Sequence, residues 1–134
     1  RCAVTGWKLV NGGGRLEADR GLMATDETGF PAAARLLENL PEGATGDLLL
    51  EAENGAACAY PIAAPPGIEV TWLSRARGQS LRDATLALLP SHSQSKIWFA
   101  GEREAARSMR VAAKVAGREA DDLRISGFWR ATDA

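Results

Sequence analysis

Residues 21–40 read GLMATDETGFPAAARLLENL, and this stretch decides the fold. Gly21-Leu22-Met23-Ala24 is an apolar run too short for a helix and suited to a strand covered on both faces. Thr25-Asp26-Glu27-Thr28-Gly29 reads as a polar turn. Pro31 follows at or near the first helical position, where its missing N–H is an orphan in any case and its φ is already helical. Ala32, Ala33, Ala34, Leu36, Leu37 and Leu40 are good helix formers with an apolar face, until Pro41 and Gly43 end the run. Strand, turn and helix in that order make half of a βαβ unit, in which ligands collect outside the carboxyl ends of the strands. The turn from Thr25 to Phe30 is therefore the first place to look for a site.

Upstream, residues 2–10 (CAVTGWKLV) read as an extended segment ending in Gly12-Gly13-Gly14. That glycine run lacks the Lys-Ser/Thr and the helix of a phosphate loop, so it reads as a flexible connection. Downstream, Gly46–Glu53 (GDLLLEAE) is a second strand, and 56–67 a loop punctuated by Tyr60-Pro61 and Pro65-Pro66-Gly67. Ile68–Leu73 (IEVTWL) is a third strand, rich in β-branched and aromatic residues. A helix is predicted from about Ser80 to Leu89, a fourth strand over Lys96–Ala100, and a helix from about Arg103 to Val115 closed by Gly117. Leu123–Trp129 is a fifth strand. Helices alternating with strands in this way call for an α/β fold with a doubly wound, mainly parallel five-stranded sheet.

The totals narrow the function classes. The chain has 134 residues, 46% hydrophobic and 25% charged, which is one domain of ordinary soluble composition. With 16 basic and 17 acidic residues, neither nucleic acid nor an anionic membrane is indicated as a partner, and no run approaches the length of a membrane span. Cys2 and Cys58 show no metal spacing and read as free thiols in a reducing cytoplasm. His92, the single histidine, lies between two serines and reads as an exposed loop residue; a zinc site or a histidine-based triad lacks partners. The chain opens at Arg1 instead of methionine and is expected to be a fragment or a trimmed chain.

Three blocks then fit together: Asp26-Glu27-Thr28 with Pro31 after the first strand, Ala100-Gly101-Glu102 after the fourth, and Ser126-Gly127-Phe128-Trp129-Arg130 at the end. With Val70-Thr71-Trp72-Leu73-Ser74-Arg75 at the third strand, they resemble the siderophore-interacting protein family over about Gly21 to Arg130. The resemblance implies a flavin-dependent reductase of ferric siderophores, built like ferredoxin reductases from a flavin-binding β-barrel and a nicotinamide-nucleotide domain. It makes residues 1–20 the remnant of the last barrel strand and its linker, and 21–134 the NAD(P)H-binding domain. FAD would be held mostly by the absent barrel, which becomes the partner of this domain, and a ferric siderophore would be the substrate.

The resemblance further implies that the first and fourth strands lie side by side, so that Thr25–Phe30 and Ala100–Arg103 wall one crevice. A pyrophosphate there would lie near the N-terminus of the Pro31 helix. Asp26 and Glu27 would repel it unless they cap the helix or turn away, and Thr25 stands where the family usually has glycine. Arg75 and Arg77 follow the third strand; they read either as a guanidinium fork for a 2′-phosphate, favouring NADPH over NADH, or as solvated loop arginines. Gly101 would let the backbone approach the nicotinamide or merely close a tight turn, with Glu102 as a polar contact or helix cap. One of Phe128 and Trp129 would cover the flavin face, or both would plug the core. Arg130 would be a cation beside the siderophore or a solvated terminal residue. Trp72 and Trp98 read as core. No residue looks like a nucleophile or general base. The same residues also fit a non-catalytic docking module of the same fold.

Overall fold

The structure, a computed structural model, describes residues 20–41, 43–119 and 122–129. Cys2, the glycine run, the whole 1–19 segment and Arg130 lie outside the described residues, as do the side chains of Cys58, Phe128 and Trp129. Five strands, β1 (Arg20–Asp26), β2 (Thr45–Ala52), β3 (Ile68–Ser74), β4 (Lys96–Glu102) and β5 (Leu123–Trp129), form one sheet in the order β3-β2-β1-β4-β5. Every pairing is parallel. The three helices are α1 (Phe30–Glu38), α2 (Leu81–Leu88) and α3 (Arg103–Val115).

Alternation along the strands divides the core in two. Met23, Leu48, Leu50, Trp98 and Ala100 point to the face covered by α1, where Phe30, Ala33, Leu36 and Leu37 meet them. Leu22, Ala24, Leu49, Ile97 and Phe99 point the other way, onto Leu81 of α2 and Ala106 and Met109 of α3. A period of two in the strands and an apolar stripe on each helix are what place one helical layer on either face. Full burial of side chains the size of Phe30 or Leu36 is worth about 1.5–3 kcal/mol each. Between β2 and β3 no helix intervenes: the chain makes a short 3-10 turn at Gly55–Cys58 and lays Tyr60 against Phe30, ring centroids 5.2 Å apart. Trp72 stands edge-on to Phe30 at 5.7 Å, so Trp72 and Trp98 both serve the core.

Two sequence expectations need correction. Thr25, Asp26, Gly101 and Glu102 are the last residues of strands and not turn residues. Thr25 pairs with Leu50 on one side and Ala100 on the other, and two-sided ladder bonding outweighs the turn preference of polar side chains. His92 is not exposed. It ends a 3-10 turn (Leu89–His92) that follows α2, and it is completely buried. Its Nε2 lies 2.7 Å from Asp47 Oδ2 and its Nδ1 2.6 Å from Ser95 Oγ, so both ring nitrogens are satisfied in the interior. The one-turn spacing of His92 and Ser95 was the only sign of this in the sequence, because Asp47 comes from a different strand.

Candidate functional site

In an open parallel sheet the crevice forms where consecutive crossovers leave for opposite faces. Here that point falls between β1 and β4, which are neighbours with Thr25 beside Ala100. The chain leaves β1 for α1 on one face and β4 for α3 on the other, so the corners 26–30 and 101–103 are brought to the same rim.

At the first corner the backbone must turn at once. Asp26 is buried, and its Oδ1 accepts from the Thr28 amide at 3.0 Å and from the Thr28 hydroxyl at 2.5 Å, capping the 3-10 turn Glu27–Gly29. Thr25 is fully buried beneath it, donating its hydroxyl to the Asp26 carbonyl at 3.0 Å. Pro31 is the second residue of α1, with Gly29 at the cap position and no side-chain cap there. At the second corner Ala100 and Gly101 are buried, and Glu102 caps α3 by accepting from the Ala105 amide at 2.9 Å. Gly101 packs close to the first corner: a Cβ there would lie 3.3 Å from Asp26 Oδ2. Past a register shift between Gly101 and Glu102, Trp129 pairs with Glu102, which carries the C-terminal aromatic segment to this rim.

The third corner, after β3, is where sequence reasoning was least informed. Arg75 does not project freely into solvent. Its Nη2 and Nη1 meet Glu27 Oε2 and Oε1 at 2.5 and 2.8 Å, Nη1 also meets Glu51 Oε1 at 3.0 Å, and Nε meets Glu53 Oε1 at 3.4 Å. The paired guanidinium holds the Glu27 carboxyl below its usual range, and the same bonds push Arg75 up. Glu51 is buried, and its second oxygen accepts from the Leu81 amide at 2.8 Å, occupying the N-terminus of α2. Arg77, at the end of the same 3-10 turn, is exposed. The sequence brought Arg75 to notice but not Glu51 and Glu53, which lie inside and beside an apolar strand and carry no motif.

Between these corners lies a hollow of about 270 Å³. Asp26, Glu51, Glu102 and Glu104 line it with carboxylates, against the guanidiniums of Arg75 and Arg82. Such a cleft suits hydroxyl and amide donors and resists additional negative charge. A larger hollow of about 590 Å³ lies at the far end of α2 and α3, lined chiefly by Leu86, Leu89, Ala112 and Ala116, away from every corner just described. Among the described residues no cluster could hold a metal ion, and no helix is long and apolar enough to cross a membrane.

Comparison with known proteins agrees with this architecture. A siderophore-interacting protein, SipS, from Aeromonas hydrophila superposes with a TM-score of 0.72 at 22% identity, over 84% of this chain and 51% of that one. The siderophore-interacting protein of Acinetobacter baumannii gives 0.73 at 24% identity, over 86% and 47%. A siderophore utilization protein from T. fusca gives 0.65 at 31% identity, over 87% and 46%. The chain thus spans about half the length of these solved structures. No curated protein sequence matches it. Residues 18–132 match the sequence model of the siderophore-interacting proteins, and with the sheet order, the shared rim and the superpositions in agreement, the chain belongs to the siderophore-interacting protein family.

Proposed function

We propose that this chain is the nucleotide-binding half of a flavin-dependent ferric-siderophore reductase, whose task is to hold NAD(P)H with its nicotinamide directed at FAD. One observation carries the reading: β1 and β4 are parallel neighbours, so two βα corners far apart in sequence share one rim at the switch point. Family membership and the half-length match to longer siderophore-interacting proteins support a second, flavin-carrying half.

The residues fit a dinucleotide in part. Gly101, without a side chain, lets the β1 and β4 corners pack closely, and the carboxylate-lined hollow beside them offers acceptors to ribose hydroxyls. Asp26 and Glu27, which a pyrophosphate would meet, are turned to other work: one caps the 3-10 turn, the other pairs with Arg75. When bound, the nicotinamide and flavin together supply hydride transfer and then single electrons to Fe(III), which hard oxygen donors release more readily as Fe(II). The chain's own part is orientation, with the β1 and β4 corners as walls and the segment through Phe128 and Trp129 alongside Glu102. Arg130 is the candidate cation for an anionic siderophore.

The acidic lining also favours a second reading, a docking module that no longer binds nucleotide. Calorimetric titration with NADH and NADPH, on the chain and on Thr25→Gly, separates the two. Saturable binding of either nucleotide supports the reductase half; none with either protein favours the docking module.

A further inference from the structure

Resting on the nucleotide reading above, we propose that the β2–β3 corner selects a nicotinamide dinucleotide that carries a free ribose 2′-hydroxyl and rejects one bearing a 2′-phosphate. The selection lies in who already holds Arg75. Its guanidinium, which lines the hollow, is bonded to Glu27, Glu51 and Glu53 from the ends of β1 and β2, so the charge it could offer a 2′-phosphate is shared among three carboxylates.

A phosphate monoester carries about −1.5 to −2 charges at neutral pH. To reach Arg75 it has to displace the two short bonds from Glu27, at 2.5 and 2.8 Å, and it then meets the remaining carboxylates unscreened. Glu51 has no room to retreat. It is buried, and its other oxygen closes the N-terminus of α2 through the Leu81 amide at 2.8 Å. That helix end is a natural anion seat, and an internal carboxylate already sits in it.

A ribose diol presents the opposite chemistry, two hydroxyl donors and no charge. Glu53 is suited to it: its side chain is 66% exposed and is held by a long 3.4 Å bond to Arg75. It directly follows β2, the place from which an acidic side chain reaches the 2′-hydroxyl in open dinucleotide-binding sheets.

The test is calorimetric or NMR titration of the whole chain with NADH, NADPH, AMP and adenosine 2′,5′-bisphosphate at one fixed ionic strength. The wild type is expected to bind NADH at least about tenfold more tightly than NADPH, and AMP more tightly than the bisphosphate. Glu53→Gln, on the surface, should weaken NADH several-fold and leave NADPH unchanged or stronger. E27Q/E53Q, which releases Arg75 from two partners, should raise NADPH affinity about tenfold without raising NADH. Glu104→Gln removes a charge from the same hollow outside the ion pairs of Arg75 with Glu27, Glu51 and Glu53, and should shift both nucleotides alike. Equal or tighter binding of NADPH by the wild type overturns the selectivity while leaving the nucleotide reading intact. Parallel shifts in E27Q/E53Q and Glu104→Gln assign the effect to general charge and also overturn it. Binding of neither nucleotide by any variant removes the nucleotide reading and this proposal together.

Discussion

The hydroxyl oxygen of Thr25 occupies the space above β1 into which a side chain on Gly29 would have to go: a Cβ built on Gly29 falls 2.1 Å from Thr25 Oγ1. The Cβ of Ala100, on the neighbouring strand, closes the same space at 3.2 Å. The β1–α1 corner and the switch point are thus packed as one unit, with a buried threonine as the wedge.

Gly29 has an ordinary negative φ of −109°, so an alanine there is opposed by space and not by backbone conformation. Gly29→Ala is expected to cost about 1–3 kcal/mol through overpacking. Adding Thr25→Gly removes the obstructing atom, and the double variant should recover a large part of that loss relative to T25G alone. Urea unfolding of the four proteins gives the coupling; strictly additive costs would mean the corner relaxes without Thr25.

The buried His92 makes stability pH-dependent. Burial pushes its pKa down, aided by the nearby Arg20 and Arg118 and opposed by Asp47. The unfolded chain takes up a proton near pH 6.5 while the folded chain does so only at lower pH. The stabilisation is therefore complete above about pH 6.5 and declines as the pH falls toward the folded pKa, by at most about 1.4 kcal/mol per unit. Chemical denaturation between pH 5 and 7.5 should show this slope in the wild type. In His92→Gln the slope should flatten, whatever the absolute loss of stability.

Arg75 ties three strand ends together, and its role depends on the planar fork. Arg75→Ala should lower stability by about 1–2 kcal/mol, below the cost of breaking a fully buried pair because the side chain is 36% exposed. Arg75→Lys should rescue little, since an ammonium cannot serve Glu27, Glu51 and Glu53 from one plane. The urea midpoints of the two variants measure this; full rescue by lysine would show that charge alone matters.

Gly127 fixes the seat of α3 on the edge strand. A Cβ at 127 would lie 2.9 Å from the Cα of Arg103, the first residue of that helix. Because the obstacle is backbone, Gly127→Ala should cost about 1–3 kcal/mol. Amide hydrogen exchange should localise the loss of protection to β5 and the first turn of α3; unchanged protection there would contradict this packing.

How far the sequence could be read depended on how local each signal was. The helix over 103–115 coincides with α3, and the fifth strand with β5, because propensity, capping residue and terminating glycine all sit within one short window. Ser80 likewise announces α2 as its N-cap, accepting from the Asp83 amide at 3.2 Å. Strand ends were less legible. Thr25-Asp26 and Gly101-Glu102 have turn-like side chains, and only pairing with neighbours keeps them extended.

By itself, then, the chain of residues determined five strands and three helices in the order β, α, β, loop, β, α, β, α, β, two apolar faces on the central strands and the family blocks at β1, β3, β4 and β5. These follow from patterns that repeat every two or three to four residues. Only the tertiary structure decided that His92 is interior and that Arg75 is shared among Glu27, Glu51 and Glu53. Glu27 and Arg75 are 48 positions apart. They meet because β1, β2 and β3 lie side by side in register, and no periodicity along a chain encodes a neighbour across a sheet.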